Sequence, residues 1–185
     1  MPILPPEPCS YPGDLFTAAI GEPPVAGEWS VLHTRPRTEK AISRRLHSRQ
    51  VQFFLPLFRH SKRQRGRTVT SFMPLFPGYL FLGGDAAGRL VALETNQVVQ
   101  VLTVPDQQQL HRDLTRVHRL LSGEAPLHPE NGLQPGAKVQ IVSGPFEGIE
   151  GKLLRSGGKA RLVVEVKFLR QGVSVEVEPW MIREL

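Results

Sequence analysis

The chain has 185 residues, a length that fits one domain or a modest pair. It is 40% hydrophobic and 22% charged, the balance of a globular protein rather than of a disordered tail or a fibre. Lys and Arg number 23 against 17 Asp and Glu, and the net charge is +6. The longest apolar stretch, residues 53–58, is far short of the roughly 20 residues of a membrane span and contains Pro56. The first basic residue is Arg35, so no secretory signal is expected. The single Cys9 makes no internal disulfide and anchors no thiolate metal site. These features predict a reduced, soluble, cytoplasmic protein.

Residues 1–28 hold seven prolines, four acids and no Lys or Arg, which predicts an extended or disordered tail. Residues 29–34 alternate as a strand should, and Pro36 ends them. Thr38 is placed to cap a helix over 39–50, with Glu39 in its first turn and Ile42 and Leu46 on a narrow apolar face. Residues 51–58 and 71–82 read as strands flanking a basic insertion, 59–67. A short helix is predicted over 85–95, a strand over 98–104 and a long helix over 106–121. In that last helix, Asp106 with Gln109 resembles a capping box, and Leu110, Leu114, Val117 and Leu121 follow helical spacing.

Residues 122–132 are rich in Gly, Pro and turn formers, and read as a linker. The charge changes there, from +9 over 29–128 to +1 over 129–185. Beyond it the pattern is all β. Leu162, Val164, Val166 and Phe168 share one face of a strand, and Val173, Val175 and Val177 one face of the next. Four or five short strands in about fifty residues bury one face only by curling into a small barrel. The fold class is therefore α+β: an N-terminal α/β sandwich, an antiparallel sheet flanked by helices, followed by a small β-barrel.

No catalytic constellation stands out. The 148–153 stretch lacks the glycine and the Ser/Thr of a phosphate loop, at Phe146 and Leu153 respectively. The six histidines show no tight metal spacing, and Cys9 has no partnered base. No cofactor, metal or catalytic residue is expected.

The unusual residues are basic. Between Arg35 and Arg67 lie eleven Lys/Arg against one acid, Glu39. So many like charges repel unless they meet a polyanion, and neutralising phosphates releases condensed counterions. Arginine outnumbers lysine nine to two, which favours bidentate phosphate or base-edge contacts. Beside this run, Phe76, Tyr79 and Phe81 cluster around Pro77-Gly78. Composition leaves them open between ordinary core and the lining of a groove for a partner helix.

Trp29-Ser-Val-Leu32, the helix after it and Pro74-Leu-Phe-Pro-Gly-Tyr-Leu-Phe81 resemble the N-terminal domain of the NusG transcription factors. Residues 135–151, with Gly144-Pro145-Phe146-Glu147-Gly148, are similar to their SH3-like KOW domain. The basic 62–67 segment resembles the specialised RfaH-type members more than the housekeeping factor. With the disordered tail at 1–28 and the linker at 122–132 read from composition, the resemblance implies a polymerase-binding domain at 29–121 and a KOW domain at 133–185.

It also implies a non-enzymatic elongation regulator or antitermination factor that works as a monomer, away from membranes. Phe76, Tyr79 and Phe81 would take the clamp helices of RNA polymerase. Arg45 and Arg49, with Arg44 beside them and Lys62, Arg63, Arg65 and Arg67 of the basic run, would face non-template DNA. Phe168 would contact a ribosomal protein or Rho. Two places depart from the pattern: nothing near residues 88–91 matches the polar cluster of a second polymerase contact, and Leu169 stands where a glycine is usual. The competing expectation is a ribosome-associated RNA-binding KOW protein. The KOW segment is expected to be β rather than a helical hairpin. Valines alternating at period two give no clean helical face, and Gly157, Gly158 and Gly172 sit at its turns.

Overall fold

The computed structural model describes residues 7–17, 27–132 and 135–185. In chain order its elements begin with β1 (Ser10–Tyr11), β2 (Glu28–Thr34), α1 (Glu39–Ser48), β3 (Phe53–Phe54), β4 (Leu57–Gln64) and β5 (Arg67–Pro74). There follow β6 (Tyr79–Gly84), α2 (Ala86–Leu93), β7 (Val98–Thr103), α3 (Gln107–Leu121) and β8 (Leu127–Asn131). The last are β9 (Lys138–Ile141), β10 (Glu150–Ser156), β11 (Lys159–Val166), β12 (Gln171–Val177) and β13 (Ile182–Glu184). They fall into two compact units, Met1–Pro56 with Phe76–His111, and Leu57–Leu75 with Arg112–Leu185.

The first unit is built on an antiparallel sheet of order β1-β3-β6-β2-β7. The pairings Val31↔Phe81 and Phe54↔Phe81 put Trp29, Val31, Phe54 and Phe81 on one face. The start of α3 lies on that face: the Gln107 side-chain amide donates to the Trp29 carbonyl at 2.9 Å, and the Trp29 indole N–H donates to His111 Nδ1 at 3.3 Å. Tyr11 and Phe53 pair across β1 and β3 on the opposite face, where the Tyr11 ring meets His47 of α1 edge-on at 5.7 Å. Ile42 and Leu46 of α1 are buried as their spacing predicts.

Three details differ from the sequence expectation. Thr38 makes no side-chain cap; its hydroxyl donates to the Arg35 carbonyl, and the Glu39 carboxylate is drawn into a tertiary contact instead. The basic insertion is not a loop between strands but a hairpin, β4–β5, paired from Leu57↔Pro74 to Gln64↔Arg67. Arg65 and Gly66 both take positive φ, the geometry of the tight turns whose twist matches paired strands.

The third concerns the proline-rich tail. Its described part, 7–17, is folded. β1 joins the sheet, Leu55 N–H donates to the Cys9 carbonyl at 2.7 Å, and Leu15 and Phe16 are buried. The prolines flank a short apolar anchor, and burial of Leu15 and Phe16 offsets the ordering cost that composition alone made prohibitive.

In the second unit the sheet runs β13-β9-β10-β11-β12-β8, all antiparallel. Six strands replace the expected four or five, because residues 127–131, inside the stretch read as a linker, form β8 and pair with β12. Strands over 150–177 bear out a β rather than helical segment. Leu162, Val164, Val166, Val173, Val175 and Val177 are buried on one face. Val163 and Ser174 on the other face are buried too, and Ser174 Oγ donates to Glu130 of β8 at 2.6 Å. The strand carrying that valine row stops at Val166. Residues Lys167–Leu169 turn into a 3₁₀ segment, so Phe168 leaves the strand face and lies half-buried outside the core.

The C-terminal half of α3 is bonded to this sheet's loops. Asp113, fully buried, accepts from the Lys167 N–H at 3.1 Å, Arg116 meets Glu150 at 3.2 Å, and Arg119 donates to the Glu147 carbonyl. Phe146 of the Gly-Pro-Phe turn packs so closely on Gly123 that no Cβ fits there.

Candidate functional site

Phe76-Pro77-Gly78-Tyr79 is a tight turn, with Tyr79 N–H donating to the Phe76 carbonyl at 3.1 Å and Gly78 at φ +83°. Proline followed by a positive-φ glycine is the signature of a type II turn. Two further bonds hold it. Thr34 N–H at the end of β2 donates to the Gly78 carbonyl at 2.8 Å, and Gly78 N–H donates to Glu39 Oε1 at 2.6 Å. Glu39 is buried at the first turn of α1. The lone acid in the basic run therefore fixes the turn, and its carboxylate is satisfied by a backbone donor.

The three aromatics divide. Phe76 and Phe81 are 1% and 0% exposed, so they are core rather than an open groove. They end a continuous row of rings in which Phe76 meets Phe81, Phe81 meets Phe54, and Phe54 meets Phe16, at centroid distances from 4.8 to 6.3 Å. Tyr79 alone is half-exposed, and stacks on His33 of β2 at 5.3 Å. The site at this end of the sheet is a His33–Tyr79 pair on the same sheet face as the buried Phe81. Sequence reasoning missed His33 and the pinning role of Glu39; the signal for Glu39 was its isolation among eleven cations.

On α1 Arg44 and Arg45 are exposed, and so is Arg49 just past its end. Arg44 pairs with Glu7 at 2.9 Å and Arg45 with Glu94 at 3.6 Å. Exposed pairs of this kind are worth under about 1 kcal/mol, so they hold these guanidinium groups only weakly. On the hairpin, Arg59, Lys62, Arg63, Arg65 and Arg67 are all exposed, with no acid on either strand. Among the described residues no group of three or more His, Cys, Asp or Glu is arranged to hold a metal ion. No helix among them is long and apolar enough to cross a membrane.

His111 is the one titratable group inside the aromatic row: Phe16 stacks on it at 5.9 Å and Trp29 at 6.2 Å. Burial pushes its pKa below the ordinary 6.5, and burial does the same to His118. Both imidazoles are held neutral in the folded chain. Well above pH 6.5, where neither state is protonated, they contribute no pH dependence. As pH falls below 6.5, the unfolded chain binds protons that the folded one resists, so stability drops. Thermal melts are expected to show a lower Tm at pH 5.5 than at 7.5. His111→Gln should flatten that dependence; an equally steep one places the proton uptake elsewhere.

The fold is thus a mixed α/β unit and a β-sheet unit, with exposed arginines and a pinned aromatic turn. The family model described as transcription termination factor nusG matches residues 27–129, more than half of the chain. The chain belongs to the NusG family of transcription elongation and termination factors. A solved structure titled "Domain interaction in Thermotoga maritima NusG" aligns at 18% identity and a TM-score of 0.49, over 85% of this chain and 97% of that one. No curated protein matches the chain.

Proposed function

We propose that this chain is an RNA polymerase-bound elongation regulator of the specialised antitermination type. In this reading the clamp helices of the polymerase rest on Tyr79 and His33, with Phe76 and Phe81 buried in the core at the same end of the sheet. Arg44 and Arg45 of α1 with Arg49 at its end, and Lys62, Arg63, Arg65 and Arg67 of the hairpin, face the exposed non-template DNA. The second sheet is a KOW domain that recruits a ribosomal protein or Rho through a surface including Phe168. The protein does no covalent chemistry and acts in the cytoplasm as a monomer. The observation that carries the reading is the Glu39-pinned turn. A buried carboxylate is spent on holding one half-exposed tyrosine in place, and that rigidity benefits a partner more than the core.

Tyr79→Ala tests it. The side chain is half-exposed, so the variant should melt close to wild type while losing most association with RNA polymerase in a pull-down. In transcription assays on a pausing template, wild type should shorten pauses and the variant should not. A folded variant that binds polymerase at wild-type affinity, or a wild type that brings down only ribosomal subunits, defeats the reading.

A further inference from the structure

One large aromatic side chain in the basic hairpin has no structural use. Phe72 lies in β5 with 53% of its surface exposed, on a two-stranded sheet that pairs with no other strand among the described residues. The register fixes its neighbours. Arg59 is directly opposite, Ser61 pairs with Thr70, and Arg63 with Thr68. Residues two apart on a strand share a face, so Phe72, Arg59, Thr70, Ser61 and Arg63 form one continuous surface. Ser61 Oγ and Thr70 Oγ1 lie 3.2 Å apart and bridge the strands in its middle. Arg59 and Arg63 are four residues apart, about 13 Å along the strand.

We propose that this face binds single-stranded DNA, with a base stacked on Phe72 and flanking phosphates held by Arg59 and Arg63. The charge settles the occupant: the hairpin carries five cations and no acid, which fits a polyanion and not an acid-free apolar helix. The exposed phenyl ring selects the strandedness. In a duplex the base faces are already stacked and only phosphates are offered, whereas a single strand presents a π-face to an aromatic side chain. Val69 and Met73 lie on the opposite face by the same register and take no part. The inference rests on the proposed reading for its choice of DNA, the non-template strand being the single strand that an elongation complex exposes.

The test uses the full chain and a labelled deoxythymidine oligonucleotide, with anisotropy measured over a series of salt concentrations. Phe72→Ala should weaken binding by about 5- to 100-fold with an unchanged salt slope, because stacking releases no counterions. Phe72→Trp should restore it. Arg59→Ala with Arg63→Ala should make the slope shallower by about 0.7 per arginine. Each variant melts as wild type, since all three side chains are exposed. Unchanged affinity in Phe72→Ala overturns the inference, as does an equal loss on duplex DNA or on an RNA oligonucleotide of the same length. Polymerase pull-down of the same proteins separates the two readings. Wild type that binds polymerase but not the oligonucleotide overturns this inference alone. Wild type that binds the oligonucleotide through Phe72 but not polymerase upholds it and overturns the proposed function.

Discussion

Replacing Phe81 by alanine is expected to cost the first unit about 3–5 kcal/mol, enough to unfold it or nearly so. The ring is fully buried in the central strand β6. It meets Phe54 at 6.3 Å and Phe76 at 6.1 Å, edge-on to the latter. Its neighbours are themselves large and held in strands or in the pinned turn, so the cavity has little freedom to collapse. Denaturant melts followed by Trp29 fluorescence measure the loss. A cost below about 1 kcal/mol would mean that the ring sits on a surface rather than in the core. The contrast with Tyr79→Ala is the informative part: two residues apart on one strand, one variant should lose the fold and the other only the partner.

Deleting residues 1–17 is expected to have a comparable effect, about 3–6 kcal/mol, because the burial of Leu15 and Phe16 is lost at roughly 1.5–3 kcal/mol each. The deletion also strips β1 from β3 and leaves the Leu55 N–H without its Cys9 carbonyl. The sheet edge so uncovered is apolar, and aggregation at low denaturant should accompany the lower Tm. Phe16→Ala alone should reproduce about half of the loss. A truncated chain as stable as the full one would reduce the segment to an ornament.

Much of this protein was legible from local pattern. Helical spacing located α3 and its buried Leu110, Leu114 and Val117, though Leu120 rather than the expected Leu121 is the fully buried residue at its end. Asp106 Oδ1 does accept the Gln109 N–H at the helix start. Alternation located β2, β11 and β12, and Asp85 caps α2 through the Gly88 N–H. These features depend on residues within a turn or a strand of one another, which is the range over which sequence periodicity carries information.

The candidate site was only half legible. The basic hairpin residues and the Pro77-Gly78 bend stood out by composition, and arginine exposure followed from charge. The partition of the aromatics did not, because Phe76, Tyr79 and Phe81 have the same chemistry in sequence. Tyr79 and Phe81 even share a strand face; what separates them is which rings lie across the sheet, Phe54 beside Phe81 and His33 beside Tyr79.

The sequence by itself determined the element types, the α+β class, the concentration of cations between Arg35 and Arg67, and the likeness to a transcription factor family. Tertiary structure decided the rest. It anchored a proline-rich tail by two buried side chains far from their partners in sequence, and added β8 to a sheet through a strand that reads as a linker. It also turned Phe168 out of its strand and gave the lone Glu39 a backbone donor thirty-nine residues away. Each of these rests on a contact between distant segments, where burial outweighs local propensity, and no window along the chain contains both partners.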